Sequence, residues 1–306
     1  MRTSEGRPRL AEERRVRSAR PGGRRRRRWI GPFVVLLVVG IVAGSGWVAW
    51  SKLQSELFSP SCMATAAGSS VSFSPEQTAN AALIAALSEK RGLPARAATI
   101  AIATAIQESK LRNLAYGDRD SVGLFQQRPS MGWGTREQLL DPVFATNAFY
   151  DALVKVDGYE AMEITQVAQR VQKSAYPAAY ADHEQEGRIL ASTLRGHSPA
   201  GLVCLLRPAT QGADPDSVSA DLASQFGVTG TASGPQVRVA ATSPELAWAV
   251  GQWSVARAEA YGIEQVEVGD QTWTRGTGGA AESWSTGDGA PTPTGTTTVT
   301  IQLGGA

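Results

Sequence analysis

The spacing of apolar and polar residues between positions 74 and 206 predicts a helical region. A helix is predicted to begin at Ser74-Pro75-Glu76-Gln77. Serine caps the first turn, proline suits the first helical position, and the glutamine side chain can accept a hydrogen bond from the backbone of the serine. A second helix follows Pro94, and its segment Ala97–Ile106 is apolar on every face. A short helix of this kind is typical of the centre of a helical core.

Apolar residues spaced by three and four predict further helices in the same region. Their approximate ranges are 135–140, 142–155, 164–173 and 176–194. No convincing strand alternation occurs between positions 75 and 200. We therefore expect a mainly α domain over residues 74–206.

The pattern changes near the C terminus. Residues 207–235 are rich in Ala, Ser, Asp, Gly and Pro and predict a linker, with one short helix within it as the alternative. Beyond it, a capped helix begins at Ser243-Pro244, and other segments alternate like strands. The strand-like segments are 236–240, 264–268, 271–275 and 297–303. Residues 236–306 are therefore predicted to form a small α+β accessory module.

An uncharged run from Trp29 to Trp50 follows an arginine-rich N terminus. About 20 apolar residues in a helix cross the hydrocarbon core of a bilayer, and tryptophans at its ends favour the interface. This predicts a single transmembrane helix over residues 29–50, a basic cytoplasmic tail over 1–28, a spacer over 51–73 and extracytoplasmic C-terminal domains. A cleavable signal peptide is the alternative, disfavoured by the length of the apolar run and the poor cleavage site after it.

The formal net charge of +2 averages two unlike parts of the chain. Residues 1–28 hold 12 arginines and 3 glutamates, which leaves a net charge of about −7 on the remainder. Arginines beside an apolar run are typical of membrane topology and of attraction to lipid headgroups, so we expect no nucleic-acid partner. The apolar fraction of 42% excludes wholesale disorder.

The two cysteines, Cys62 and Cys204, bracket the predicted helical domain. In an oxidising compartment a disulfide between them would tie its beginning to its end; two free buried thiols are the alternative. The chain has only two histidines, His183 and His197, and no Cys/His cluster has metal-ligand spacing. We therefore expect no metal site.

Glu108 is the candidate catalytic acid. It lies at the C-terminal end of the apolar second helix, on the face that also carries Ala97 and Ala101. Burial there would raise the pKa of its carboxyl, as a proton donor to a glycosidic oxygen requires near neutral pH. The alternative is an exposed glutamate in a fraying last turn, paired with Lys110 or Arg112.

One motif consists of Glu108-Ser109, then Gly123-Leu124-Phe125-Gln126, and then Pro129. It resembles the signature of the lytic transglycosylases. Soluble lytic transglycosylases and goose-type lysozymes carry this signature on a mainly helical lysozyme-like fold. The resemblance covers about residues 76–200. It implies that Glu108 is the catalytic acid, that Ser109 helps to orient the site, and that residues 123–126 belong to the cleft loop. It also implies peptidoglycan glycan strands as the substrate and no cofactor.

Neighbouring side chains complete the candidate site. Trp133 could stack on a sugar ring or pack in the core, and the amides and guanidinium of residues 126–128 could bond substituents of the glycan. The usual Ala-Tyr-Asn-Ala-Gly element, whose tyrosine supports the acid, has a partial counterpart at residues 174–177, so that Tyr176 or Tyr180 would serve. The candidate substrate-binding residues are Ser109, Gly123, Leu124, Gln126, Gln127, Trp133 and Tyr176.

The number of carboxylates decides the reaction. A hydrolase needs a second one, at about 5–5.5 Å as a nucleophile or about 6.5–9.5 Å as a base. Asp118 and Asp120 are candidates for that role, and a solvated loop paired with Arg119 is their alternative. A lytic transglycosylase needs no second carboxylate, because Glu108 would protonate the leaving oxygen and then accept the proton of the sugar's own 6-hydroxyl. The resemblance favours this route to a 1,6-anhydro product.

The sequence therefore predicts a membrane-anchored enzyme that cleaves the MurNAc–GlcNAc bond of peptidoglycan. The alternative is a catalytically inactive peptidoglycan-binding or scaffold protein of an envelope or secretion machine. The incomplete tyrosine element favours that alternative. For either function, the C-terminal module is expected to bind the cell wall or a protein partner of an envelope machine.

Overall fold

Two antiparallel sheets and a cluster of helices make up the computed structural model, which describes residues 58–172, 177–286 and 297–305. The helices are α1 (Pro75–Lys90), α2 (Ala95–Ser109), α3 (Arg136–Leu140), α4 (Pro142–Leu153), α5 (Ile164–Gln172), α6 (Glu184–Leu194), α7 (Pro215–Gln225), α8 (Pro244–Ala256) and α9 (Ala258–Tyr261). The strands are β1 (Ser61–Ala66), β2 (Ser69–Phe73), β3 (Leu202–Leu205), β4 (Gly230–Ser233), β5 (Gln236–Ala240), β6 (Ile263–Val268), β7 (Gln271–Thr274), β8 (Ser285–Thr286) and β9 (Thr298–Leu303). Short 3₁₀ helices cover Pro129–Met131, Pro177–His183 and Gly279–Glu282.

Helix α2 forms the centre of the helical cluster. It contacts α1, α4, α5 and α6, and its residues from Ala97 to Ile106 are all buried. The closest of these contacts is with α6, where Gly187 lies so near to α2 that an added Cβ would be 2.8 Å from the carbonyl oxygen of Thr99. The apolar character of α2 on every face follows from this position, as the sequence predicts.

The first sheet joins the two ends of the helical region. Its strand order is β2-β1-β3, and β1 pairs antiparallel with both neighbours. Cys62 lies opposite Cys204 in the β1–β3 register, and the two form a disulfide. The predicted cross-link between the cysteines is therefore confirmed, although residues 61–73 form a hairpin where the sequence predicts a spacer.

The second sheet has six antiparallel strands in the order β4-β5-β9-β6-β7-β8. One face carries alternating apolar residues such as Val237, Val266 and Ile301, all of them buried. Helix α8 packs on this sheet through β6 and β9 and also contacts α1, α6 and β3. The Nε2 group of Gln252 on α8 donates a buried hydrogen bond of 2.6 Å to the carbonyl of Thr193 on α6. Residues Ser59–Ala306 accordingly form one compact unit.

The prediction of a mainly α fold is wrong, because strands make up two sheets, one of which includes the start and the end of the helical region. Strands β1 and β2 are short and rich in Ser, Ala and Thr, so their pattern resembles that of a polar spacer. Residues 207–235, predicted as a linker with one short helix as the alternative, contain helix α7 and also strand β4. The strands predicted after residue 236 occur close to their expected positions, with β4 and β8 added at the edges.

The predicted membrane span is a second correction. Within the three described ranges, no helix combines the length and the apolar character needed to cross a bilayer. Even the longest helix described there, α1 with 16 residues, spans only about 24 Å of the roughly 30 Å hydrocarbon core. The tail 1–28 and the predicted span 29–50 lie outside the described residues. The prediction of a single-pass membrane protein is therefore wrong for the part of the chain that the structure describes.

Removal of the disulfide should destabilise this unit strongly. The cross-link joins residues separated by 142 positions, and closing so long a loop stabilises a fold by about 4–5 kcal/mol in the chain-entropy model. We expect the double variant Cys62→Ser/Cys204→Ser to melt roughly 10 °C below the oxidised wild type, as measured by calorimetry. Reduction of the wild type should give a similar decrease, and an unchanged melting temperature in both cases would contradict this role.

Candidate active site

A cavity of about 430 Å³ opens beside the C-terminal end of α2. One wall is formed by the end of α2 and the loop after it, and the other by the ends of α4 and α5. The lining residues are Glu108, Gln126, Gln127, Arg128, Met131, Trp133, Ala152, Lys155, Arg170, Val171 and Gln172. The predicted acid and the predicted cleft loop therefore share one cavity.

The carboxyl of Glu108 is half-buried on this wall. The hydroxyl of Tyr180 donates a hydrogen bond of 2.5 Å to its Oε1 atom, and the tyrosine side chain is fully buried. Desolvation raises the pKa of Glu108 above its ordinary value, and the bond from Tyr180 partly offsets this rise by stabilising the carboxylate. The group is thus placed to carry a proton at a pH where an exposed glutamate would have lost it.

The backbone after Glu108 turns sharply and is held from α1. Lys110 and Leu111 are both in the left-handed region, with φ angles of 56° and 57°, which costs free energy for residues other than glycine. Two amides of α1 secure the turn: Gln77 donates to the carbonyl of Lys110 and Asn80 to that of Leu111, each at 2.8 Å. These bonds fix the end of α2, and with it the position of the acid.

The cleft loop is fixed to α2 from behind. The Oγ atom of Ser109 donates a 2.7 Å hydrogen bond to the carbonyl of Leu124, and both side chains are buried. Gly123 has a φ angle of 80°, and an added Cβ would lie 2.3 Å from the carbonyl oxygen of Leu139. Glycine is therefore required there, both for its conformation and for the close approach.

The predicted substrate-binding residues separate into two groups. Gln126, Gln127 and Trp133 line the cavity. Three others, Ser109, Gly123 and Leu124, lie behind the wall and position it. Tyr176 lies outside the described residues, and of the two tyrosines considered it is Tyr180 that the structure brings to Glu108.

Gln127 has an unsatisfied acceptor in this wall. The residue is 2% exposed, and its Nε2 group donates to the carbonyl of Ala145 at 3.3 Å. Its Oε1 atom is buried and has no hydrogen-bond partner within the described part of the chain. Buried polar atoms are normally paired, so this oxygen is an exception in the packing beside the cavity.

The two aspartates of the intervening loop are not among the cavity lining. Asp120 accepts hydrogen bonds from Nε of Arg128 and from the backbone and hydroxyl of Ser130, which together hold the pKa of its carboxyl well below its usual range. Asp118 is 90% exposed beside Arg119. Asp120 therefore orients Arg128, whose side chain does reach the cavity.

Sequence reasoning missed the part of the cavity lining that comes from the ends of α4 and α5. Ala152, Lys155, Arg170 and Gln172 come from the ends of α4 and α5, where the sequence indicates only amphipathic helices. The Nε2 group of Gln172 donates a 2.7 Å bond to the carbonyl of Phe125 and so connects this wall to the cleft loop. The sequence signal that could have identified this lining is the presence of polar residues at the end of an otherwise apolar helix face. In the described ranges, no group of three or more His, Cys, Asp or Glu residues is placed to hold a metal ion.

The raised pKa of Glu108 makes stability depend on pH. The folded protein binds this proton more tightly than the unfolded chain, whose glutamate pKa is about 4.5. The carboxyl therefore has no destabilising effect below that pH and a growing one as the pH rises through the folded pKa. We expect Glu108→Gln to melt at the same temperature as the wild type at pH 4 and a few degrees higher at pH 8.

The matched control for this measurement is Glu160→Gln, at an exposed glutamate outside the cavity. It should show no such divergence between the two pH values. A Glu108→Gln variant that is no more stable than the wild type at pH 8 would show that burial of this carboxyl carries no penalty.

Comparisons with known proteins assign no family to this chain. No protein-family model matches the sequence, and no curated protein matches it either. The chemistry available to the cavity therefore depends on its own lining residues.

Proposed function

We propose that this protein cleaves the MurNAc–GlcNAc glycosidic bond of peptidoglycan as a lytic transglycosylase, with Glu108 as acid and then base. One observation carries the proposal: Glu108 is half-buried, has a raised pKa, accepts a bond from Tyr180 and is the only carboxylate among the described lining residues. An acid of this kind can protonate a leaving oxygen near neutral pH.

The first step transfers the Glu108 proton to the glycosidic oxygen as the C1–O bond breaks. The departing sugar leaves with a new hydroxyl, and positive charge develops on the ring that remains. The hydroxyl of Tyr180 stabilises the carboxylate formed at the same moment, because it already donates to Oε1. Electrostatic stabilisation of developing charge by a preorganised donor is a large source of catalysis.

The second step returns the proton to Glu108. The 6-hydroxyl of the remaining sugar attacks its own C1, and its proton passes to the carboxylate, so that the acid is regenerated. The product is a 1,6-anhydro ring, and no water is consumed. The absence of a second carboxylate from the described lining supports this route over hydrolysis, because both hydrolytic mechanisms need one.

Residues around the acid are suited to hold the glycan. Trp133 is half-buried on the cavity wall and presents an aromatic surface for a sugar ring. The amide of Gln126, which also lines the cavity and is partly exposed, can bond the N-acetyl group of the glycan. Both contacts would orient the bond to be cleaved toward Glu108.

The test of the proposed function compares wild type and Glu108→Gln on purified peptidoglycan. We expect clearing by the wild type and a loss of at least about 100-fold in the variant, since general acid catalysis contributes roughly 10²–10⁴-fold. Glu160→Gln serves as the control and should clear normally. Mass spectrometry should find 1,6-anhydro ends on the released fragments. Binding without clearing by any form would favour the inactive scaffold, and reducing ends would indicate a hydrolase.

Tyr180→Phe should change both the rate and its pH dependence. The variant loses the donor that stabilises the Glu108 carboxylate, so we expect kcat to fall roughly 10-fold or more. The same loss raises the pKa of Glu108, because that bond lowers it in the wild type. The alkaline limb of the kcat/KM profile should therefore move to higher pH.

Tyr159→Phe is the control for this substitution, since Tyr159 is a mostly buried tyrosine that does not line the cavity. Its profile should match that of the wild type. An alkaline limb that stays in place in Tyr180→Phe, or moves to lower pH, would contradict the assigned role of the hydroxyl.

A further inference from the structure

One of the two histidines of the chain lies in the segment that carries Tyr180, and the proposed chemistry gives it no role. Tyr180 belongs to the 3₁₀ helix Pro177–His183, which we call the Tyr180 segment. The Nδ1 atom of His183 donates a hydrogen bond of 2.7 Å to Oε2 of Glu186, since a carboxylate can only accept. Glu186 lies in the first turn of α6. This bond therefore joins the end of the Tyr180 segment to α6.

Helix α6 is itself fixed to α2, the helix that carries Glu108. In the first turn of α6, Glu184 pairs with Arg96 of α2 at 2.6 Å. Gly187 follows Glu186 directly, and it lies so close to the backbone of α2 that a side chain would not fit without a shift. The first turn of α6 is thus held on α2 on both sides of Glu186, which makes Glu186 a fixed point relative to the acid.

The Tyr180 segment depends on restraint from outside. A 3₁₀ helix has poorer hydrogen-bond geometry than an α-helix, and runs longer than three or four residues are uncommon. This segment has seven residues. Its last residue, His183, also occupies the capping position of α6, but the side chain caps no backbone N–H group there. The mostly buried ring bonds Glu186 instead, and so restrains the segment that precedes α6.

The position of the Tyr180 hydroxyl depends on this segment. Tyr180 precedes His183 by three residues, and its hydroxyl donates the bond of 2.5 Å to Glu108. Hydrogen bonds weaken steeply as their distance and angle depart from the optimum. The acid is held separately, by the donors of α1 on the turn that follows it. A displacement of the Tyr180 segment would therefore weaken the bond without moving the acid.

We infer that His183 is a positioning residue, which holds the hydroxyl of Tyr180 on Glu108 through its bond to Glu186. This inference deepens the proposed function and rests on it, because it concerns the donor that supports the same acid. His183 is not among the described residues that line the cavity. Burial and the bond from Tyr180 shift the pKa of Glu108, and His183 does not contribute directly. Its effect on the acid therefore passes through Tyr180.

The test measures the pKa of Glu108 by NMR of the full chain with isotope-labelled glutamate carboxyls. Loss of the signal in Glu108→Gln assigns it. His183→Phe keeps a ring but removes the donor, so we expect the pKa of Glu108 to rise, because the bond from Tyr180 lowers it in the wild type. The alkaline limb of the kcat/KM profile should move to higher pH with it. We expect kcat to fall roughly two- to five-fold, less than in Tyr180→Phe.

Two further variants separate the hydrogen bond from other effects of the substitution. The side-chain amide of His183→Asn can donate from near the position of Nδ1, so this uncharged variant should restore the wild-type pKa of Glu108. Glu186→Ala removes the acceptor and should raise that pKa as His183→Phe does, whereas loss of a negative charge alone would lower it. The result thus does not depend on the folding of one variant.

A double variant tests the route through Tyr180. Once the hydroxyl is absent in Tyr180→Phe, adding His183→Phe should cause no further rise in the pKa of Glu108 and no further loss of kcat. His197→Phe is the matched control, because His197 is the other histidine, is exposed and lies outside the Tyr180 segment. It should match the wild type in both measurements.

An unchanged pKa of Glu108 in His183→Phe, a further rise in the Tyr180→Phe background, or no recovery in His183→Asn would overturn the inference. Failure of the proposed function gives a different result. In that case the wild type releases no fragments from peptidoglycan, while the NMR titration still reports whether His183 acts on Glu108. Cleavage that depends on Glu108 but is indifferent to His183→Phe would leave the function standing and remove this inference alone.

Discussion

Ionising a carboxyl group that is removed from water costs free energy, and the surroundings of Glu108 determine how large that cost is. Desolvation favours the protonated acid, while the hydroxyl of Tyr180 stabilises the carboxylate that forms once the proton is given up. The two effects oppose each other, and burial is the larger. The balance leaves a group that can both release and recover a proton, as a single residue acting first as acid and then as base must do.

Rigid support from several directions keeps that balance in place. The turn after Glu108 holds two residues in the left-handed region, and such strain persists only where the surrounding structure over-determines it. Donors on α1 provide this restraint from one side. Ser109 and the close approach of Gly123 to Leu139 provide it from the loop. Most residues of the motif around Glu108 therefore hold the acid and the cleft loop in position, and few of them line the cavity.

Local sequence patterns could predict the helices and the partial burial of Glu108 but not the residues that surround it. The run from Ala97 to Ile106 is apolar on every face, which predicts a central helix and a half-buried glutamate at its end. Tyr180 lies 72 residues away in sequence, and nothing local distinguishes it from Tyr176. Lys155 lies just beyond the end of α4 and Arg170 in the last turn of α5, and only the tertiary fold brings both to one cavity.

The sheets were harder still to predict, for a physical reason. Strands β1, β2 and β3 have six residues or fewer, and the hairpin of β1 and β2 becomes part of a sheet only through β3, far away in sequence. Strand propensity depends on such context more than helix propensity does. The later strands alternate clearly because one face of their sheet is buried against α8, so the pattern and the environment agree there.

The position of α8 has a consequence for how the molecule can be divided. One side of this helix covers the six-stranded sheet. Another side packs on α1 and α6, which both contact the central helix α2. Cutting the chain after β3 would uncover the apolar surfaces of all these partners at once and leave the carbonyl of Thr193 without its buried donor. The C-terminal residues thus support the helices that form the cavity. A fragment that ends after β3 would keep the motif around Glu108 but would not reproduce the site.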